Sequence, residues 1–235
     1  MSRARENADL PVAMTEVDGH VGIINTAPGN YLEGELTVGN STKDQYVNIV
    51  TGAANAAGLC FQDTTGTSIV GGLRYTHSDN NLAMWTNGSS RMVVDGSGRV
   101  TMPNQPMFSV TRPTAGTALH GDIFSGQTPT QDFTMQGFTF NSSNGRFTCP
   151  IGGKYLVSFY SISQGAEGYV QIRKNDNAQF HAYSQSGTAK WRTYSALGII
   201  SLAANDYLTF FAAATAANHN FHGQQHMRAV AYLIG

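Results

Sequence analysis

From residue 138 to residue 235 the chain is a succession of short runs in which apolar and polar positions alternate, each closed by Gly, Asn or Asp. A period of two is the signature of a strand with one buried face. The pattern predicts strands at residues 138–140, 153–161, 168–174, 194–202, 206–213 and 227–234. Their inward positions are Tyr155, Val157 and Phe159, then Val170 and Ile172, then Leu208, Phe210 and Ala212. This spacing fits an antiparallel sandwich or jelly roll. The last strand is so apolar that it is predicted to be buried at an axis shared with other copies, with Tyr232, Leu233 and Ile234 on that axis. No stretch supports an amphipathic helix longer than two turns.

Residues 20–105 read differently. Apolar snippets of four to six residues (Val47/Ile49, Leu82/Met84 against Trp85, Met92/Val94, Val100/Met102) are separated by hairpin-type signals such as Gly39-Asn40, Asn80-Asn81, Asn87-Gly88 and Asp95-Gly96-Ser97-Gly98. A lone hairpin is marginal in water, so the greasy faces are expected to be buried jointly by intertwined identical copies; three around one axis would form a rod, a number the period itself does not fix. Pro103 and Pro106 restrict the backbone and cannot donate ladder hydrogen bonds, which marks a joint. Residues 1–19 are polar and carry no sustained period. The expected organisation is all-β: an extended arm (1–19), an intertwined trimeric β-rich stem (20–105) and an antiparallel jelly-roll head (106–235).

Composition agrees with strands and turns. Hydrophobic residues make up 41% of 235, enough for a core, while charged residues are 12%, about half the roughly 25% usual in globular proteins. Residues 1–105 carry 6 basic and 10 acidic side chains, and the remainder carries 8 and 5. Neither part has the basic stripe of a nucleic-acid binder. No apolar run approaches the roughly 18 residues of a membrane span, so no membrane insertion is expected, and the opening residues predict no Sec-type export. Cys60 and Cys149 fall in different predicted domains and are expected to be reduced, packed thiols.

Two resemblances refine the picture. Gly145, Phe147, Pro150, Gly153, Tyr155 and Phe159 fill a Gly-x-Phe-x-x-Pro-x-x-Gly-x-Tyr-x-x-x-Phe stretch that resembles the hallmark of complement-head and tumour-necrosis-factor-like (TNF-like) jelly rolls. Lys174-Asn175-Asp176 and the run from Leu202 to Leu208 extend the likeness, with Asn205 in the usual Gly slot as a left-handed substitute. The resemblance covers residues 106–235 and implies a trimer with its closing strands near the three-fold axis. In the front half, the phrases at residues 21–32, 72–82 and 91–100, and the opening Ser2-Arg3-Ala4-Arg5, are similar to bacteriophage tail-fibre stems. That likeness implies a virion protein assembled in the host cytoplasm, whose arm (Arg3, Arg5, Glu6) grips a tail or baseplate protein.

Chemistry for catalysis is sparse. A glycan-cleaving tailspike needs two carboxylates roughly 5–9.5 Å apart in a cleft, and the head offers Asp122, Asp132, Glu167, Asp176 and Asp206. Asp176 and Asp206 sit at turn signals, where bonding to nearby backbone amides is the ordinary role. There is no Gly-x-Ser-x-Gly elbow. No enzyme, cofactor or metal is expected; His219, His222 and His226 form the one cluster resembling a ligand set, but their spacing fits no standard zinc signature. Trp85 is expected to pack between chains. The segment 180–192 reads as a loop rich in aromatic and polar groups, and His181, Tyr183, Lys190, Trp191 and Arg192 are the expected receptor-binding residues, since such side chains suit sugar rings and interfaces alike. The reading is a homotrimeric, non-enzymatic tail-fibre adhesin that binds a host-surface glycan or other receptor. A depolymerase spike and a cellular complement-like surface protein are the alternatives.

Overall fold

A computed structural model describes residues 12–17, 20–25, 49–62, 69–117, 120–165, 168–184, 190–214 and 220–235. The expectations at Arg3, Arg5, Glu6, Val47, Glu167 and His219, and the side chain of Lys190, lie outside the described residues. The chain divides into two compact units, residues 1–50 and 51–235. In the first, β1 (Val12–Val17) pairs antiparallel with β2 (His20–Asn25), so the described end of the expected arm is a hairpin strand. The two residues between the strands are Asp-Gly, a strong hairpin signal.

The second unit opens with a five-stranded antiparallel meander of β3 (Ala56–Phe61), β4 (Gly71–Thr76), β5 (Asn81–Thr86), β6 (Ser89–Val94) and β7 (Val100–Thr101). Asn87 (φ 50) and Gly88 (φ 68) supply the two left-handed residues that a tight β5–β6 turn requires. Asp95 closes the next turn, accepting the Ser97 and Arg99 N–H groups at 2.9 and 3.0 Å and the Arg99 Nε at 2.7 Å. These strands were expected to intertwine with other copies; their ladders instead run between sequence neighbours of one chain. What stays unsatisfied is a side-chain face. The register aligns Leu59, Leu73, Met84 and Met92 in one row and Ala57, Tyr75, Leu82, Val94 and Val100 in the next, and Leu59, Leu73, Leu82, Met84 and Val100 are all exposed. On the other face Ala83 is buried and the Arg74 guanidinium lies 5.5 Å above the Trp85 ring.

Residues 107–235 form two packed antiparallel sheets. The first runs β11 (Thr130–Gln131), β8 (Met107–Thr111), β20 (Met227–Leu233), β14 (Gly153–Gly165), β17 (Lys190–Leu202), with β19 (Asn220–Phe221) extending the β20 side and pairing with β9 (Gly116–Thr117). The second runs β12 (Thr139–Asn141), β13 (Arg146–Thr148), β18 (Tyr207–Ala214), β15 (Gly168–Lys174), β16 (Asn177–Ser184), with β10 (His120–Asp122) also on β18. The predicted inward residues of β14, β15 and β18 are fully buried between the sheets. Phe147 is the hub: its ring stacks on Phe108 at 4.5 Å and meets Phe124, Phe140 and Phe210 within 5.7 Å. Gly145 must precede it, because at φ 70 an added Cβ would stand 2.7 Å from the Ser125 nitrogen. Among the described residues no helix is long and apolar enough to cross a membrane.

Two expectations are corrected. The aromatic segment 180–192 is not one loop: it is the end of β16 and the start of β17, flanking residues 185–189. Cys149 is buried as expected, but Cys60, on the edge strand β3, is exposed. Asn205 adopts the left-handed conformation its place in the motif demands, at φ 70.

The two sheets are closed along one side by the Phe180 ring, which lies where a Cβ on Gly198 would stand, 2.0 Å from its Cζ. Replacing Gly198 with Ala is predicted to expel the ring and cost about 1–3 kcal/mol, read as a lower urea midpoint with an unchanged slope.

Candidate receptor-binding surfaces

Every sheet of a sandwich has a second face, and alternation decides what stands on it. On the β20–β14–β17 sheet several neighbouring outward positions are apolar. Leu156 lies opposite both Tyr232 and Ile199, and Ser158 opposite Val230 and Leu197. Leu156 is 40% exposed, Leu197 60%, Ile199 57% and Tyr232 36%, a contiguous apolar patch of the kind that marks an interaction surface. The three residues expected on a shared axis divide accordingly. Tyr232 faces outward into this patch and Ile234 is exposed, while Leu233 belongs to the core of its own sandwich because alternation turns it inward. Leu156, Leu197 and Ile199 were not anticipated; their strands had been read for inward residues only, although their outward positions are also apolar.

Trp191 lies at the far end of the same face. Its ring rests 4.3 Å from that of His222, which meets His226 edge-on at 6.0 Å. Trp191, Ile162, Arg192, Thr193 and His226 line an open cavity of about 450 Å³. Arg192 reaches the other way and donates to the Ser184 hydroxyl of β16. Among the described residues no group of three or more His, Cys, Asp or Glu could hold a metal ion.

The β10–β18–β15–β16 sheet presents a different outer face. Tyr183 lies opposite Tyr169, His181 opposite Gln171, Gln171 opposite Phe211, and Phe211 opposite Asp122. So the structure places His181 and Tyr183 on one sheet and Trp191 on the other, separating side chains the sequence had grouped. Next to this face, Asp176 accepts from Arg146 Nη2 at 2.9 Å and from the Tyr207 hydroxyl at 2.6 Å, with the guanidinium 4.0 Å above the Tyr207 ring. The hydrogen bond to Asp176 raises the Tyr207 phenol above its ordinary pKa. Burial pushes the Asp122 carboxyl up, opposed by the charge of Arg173. Asp176 and Asp206, expected to bond nearby backbone, differ: Asp206 does so, whereas Asp176 ties two side chains together.

Asp206 accepts Asn175 Nδ2 at 2.7 Å, the Ala203 N–H at 2.7 Å and Lys174 Nζ at 2.9 Å, stitching the β15–β16 turn to the β17–β18 turn. The Asn175 bond leads in holding its carboxyl down at about 2, followed by the Ala203 amide and Lys174. A depressed carboxyl pKa stabilises the fold above the ordinary carboxylate range, and that contribution is lost as pH falls through about 4 toward 2. Asp206→Asn is predicted to lower Tm at neutral pH and to flatten the loss of Tm between pH 4 and 2; calorimetry across that range checks it.

The sequence profile of the C1q domain matches residues 130–230. With the sheet order above, the C-terminal part of the chain has a C1q/TNF-like jelly-roll fold. No curated protein matches the chain in sequence. Among solved structures, the Eiger TNF of S. frugiperda is similar at TM-score 0.43 and 14% identity, over 55% of this chain and 94% of that one. The globular domain of the zebrafish complement 1qA protein is similar at TM-score 0.42 and 16% identity, over 55% and 98%.

Proposed function

We propose that the chain is a homotrimeric adhesin of the bacteriophage tail-fibre type, non-enzymatic, whose jelly-roll head binds a host-surface receptor. The observation that carries the reading is that one chain leaves two apolar faces uncovered, the Leu59/Leu73/Met84 face of the meander and the Leu156/Leu197/Ile199/Tyr232 face of the head. Both have the apolar chemistry that copies of the same chain would bury. C1q/TNF-like domains are often trimeric binding or adhesion modules, which supports the number three. The stem phrases of the front half favour a tail fibre over a cellular protein, with the arm residues Arg3, Arg5 and Glu6 gripping the tail. Trimerisation also makes weak heads useful, since linked sites gain on the order of 10² to 10⁴ in avidity.

Light scattering should give three times the 25.2 kDa chain mass. Leu197→Asp with Ile199→Asp should reduce that mass while the strand circular-dichroism signal is kept, because both side chains stand outside the core and a charge there cannot be buried unpaired. A wild-type mass of one chain overturns the assembly.

Labelled protein is expected to bind cells of a susceptible strain within a panel of bacterial hosts. Binding to none of them would leave a structural tail component in place of an adhesin.

A further inference from the structure

Resting on that adhesin reading, we infer that the receptor site is the outer face of the β10–β18–β15–β16 sheet, and that its ligand is an acidic glycan: a pyranose ring laid on Tyr183, Tyr169 and His181, its carboxylate held by Arg173. Three observations converge on this face. The first is its aromatic content. Tyr169 is the centre of a cluster, with Tyr183 at 6.4 Å, His181 at 6.3 Å and Phe211 at 6.1 Å, the last two within 22° of parallel. Tyr183 is 57% exposed and His181 is exposed as well. Rings with a polar rim suit the C–H face of a sugar together with its hydroxyls, which aliphatic side chains do not.

The second is preorganisation. Gln171 is buried and both ends of its amide are committed: Oε1 accepts Arg173 Nε at 2.7 Å, and the nitrogen stands 3.3 Å from a ring nitrogen of His181. The Arg173 guanidinium is in turn pinned 3.4 Å above the Phe211 ring. A chain of contacts thus fixes Arg173, Gln171 and His181 before any ligand arrives, which lowers the ordering cost of binding.

The third is charge. Arg146 is neutralised by Asp176, whereas Arg173 has no hydrogen-bonded carboxylate among the described residues; Asp122, whose carboxyl burial pushes up against the opposing Arg173 charge, is the acid that faces it. A guanidinium presents a planar fork of N–H donors that matches a carboxylate. The opposite face of the sandwich differs: its Leu156, Leu197 and Ile199 patch is aliphatic, and its Arg228 is already paired with Asp132. The two faces therefore divide the work between assembly and recognition.

The test uses the full-length trimer on an array of immobilised oligosaccharides, in pairs that differ only in a uronate carboxylate or its neutral alcohol. The wild type is expected to prefer the acidic member. Tyr183→Ala should weaken binding about tenfold, Tyr183→Phe should restore it, and Arg173→Gln should erase the preference for the acid, all with unchanged trimer mass. Wild-type glycan binding that Tyr183→Ala and Arg173→Gln leave intact would overturn the site but not the adhesin. Cell binding without any glycan signal would overturn the ligand class and point to a protein receptor. Failure to bind cells as well would overturn both readings.

Discussion

A β-sandwich can hide only one face of each of its sheets, and every functional inference about this chain follows from what stands on the faces left over. In the head, the inward set is saturated: Phe147, Phe108, Phe210 and Tyr155 fill the space between the sheets with no exposure at all. The outward positions are therefore free of any duty to the fold. Where they are nevertheless apolar or aromatic, a partner outside the chain is the economical explanation. The meander at residues 56–101 sharpens the point, because it carries two rows of apolar side chains on one face, with Leu59, Leu73, Leu82, Met84 and Val100 exposed.

The energetic scale supports assembly. Covering a large aliphatic side chain is worth about 1.5–3 kcal/mol, and Leu156, Leu197, Ile199 and Tyr232 cluster on neighbouring strands, so they can be desolvated together. Association costs several kcal/mol in lost translational and rotational freedom, which one such side chain cannot offset but a patch repeated in every subunit can. A head that depended on its patch for folding would be unstable alone; this one is not built that way, since the patch lies outside the aromatic core.

How much of this was legible in the sequence depended on whether alternation had contrast. In β14, β15 and β18 the inward positions are apolar throughout (Tyr155, Val157 and Phe159; Val170 and Ile172; Leu208, Phe210 and Ala212) and polar residues such as Ser158, Gln171 and Thr209 fall between them, so the strands stand out from the pattern. β16 was missed because the contrast is inverted: its outward His181 and Tyr183 are bulkier than the inward Ala182, so a strand end looked like an aromatic loop. The Gly145 to Phe159 motif was legible for a steric reason: Gly145 and Gly153 have no room for a Cβ, and Phe147, Tyr155 and Phe159 are fully buried rings. Leu233 was placed at an axis from its apolarity alone, but parity along β20 puts it in the core and leaves Tyr232 outside. No sequence rule could have joined Arg173 to Phe211, which sit on strands distant in the chain, or separated Trp191 from Tyr183, because consecutive strands β16 and β17 belong to different sheets.

The same inversion that hid β16 carries functional weight. A strand that folds with Ala182 inward needs nothing large outward, so Tyr183 and His181 are not explained by stability. Their neighbours behave likewise: Tyr169 and Phe211 are outward residues on strands whose inward partners, Val170 and Phe210, already complete the core. Aromatic side chains on a solvent face lower solubility and invite aggregation unless they are covered or held, and here Arg173 and Gln171 hold them. A surface that carries such groups, and fixes them with its own hydrogen bonds instead of burying them against another sheet, is arranged for a ligand that comes and goes. The aliphatic patch of the other sheet, Leu156, Leu197 and Ile199, is arranged for a partner that stays.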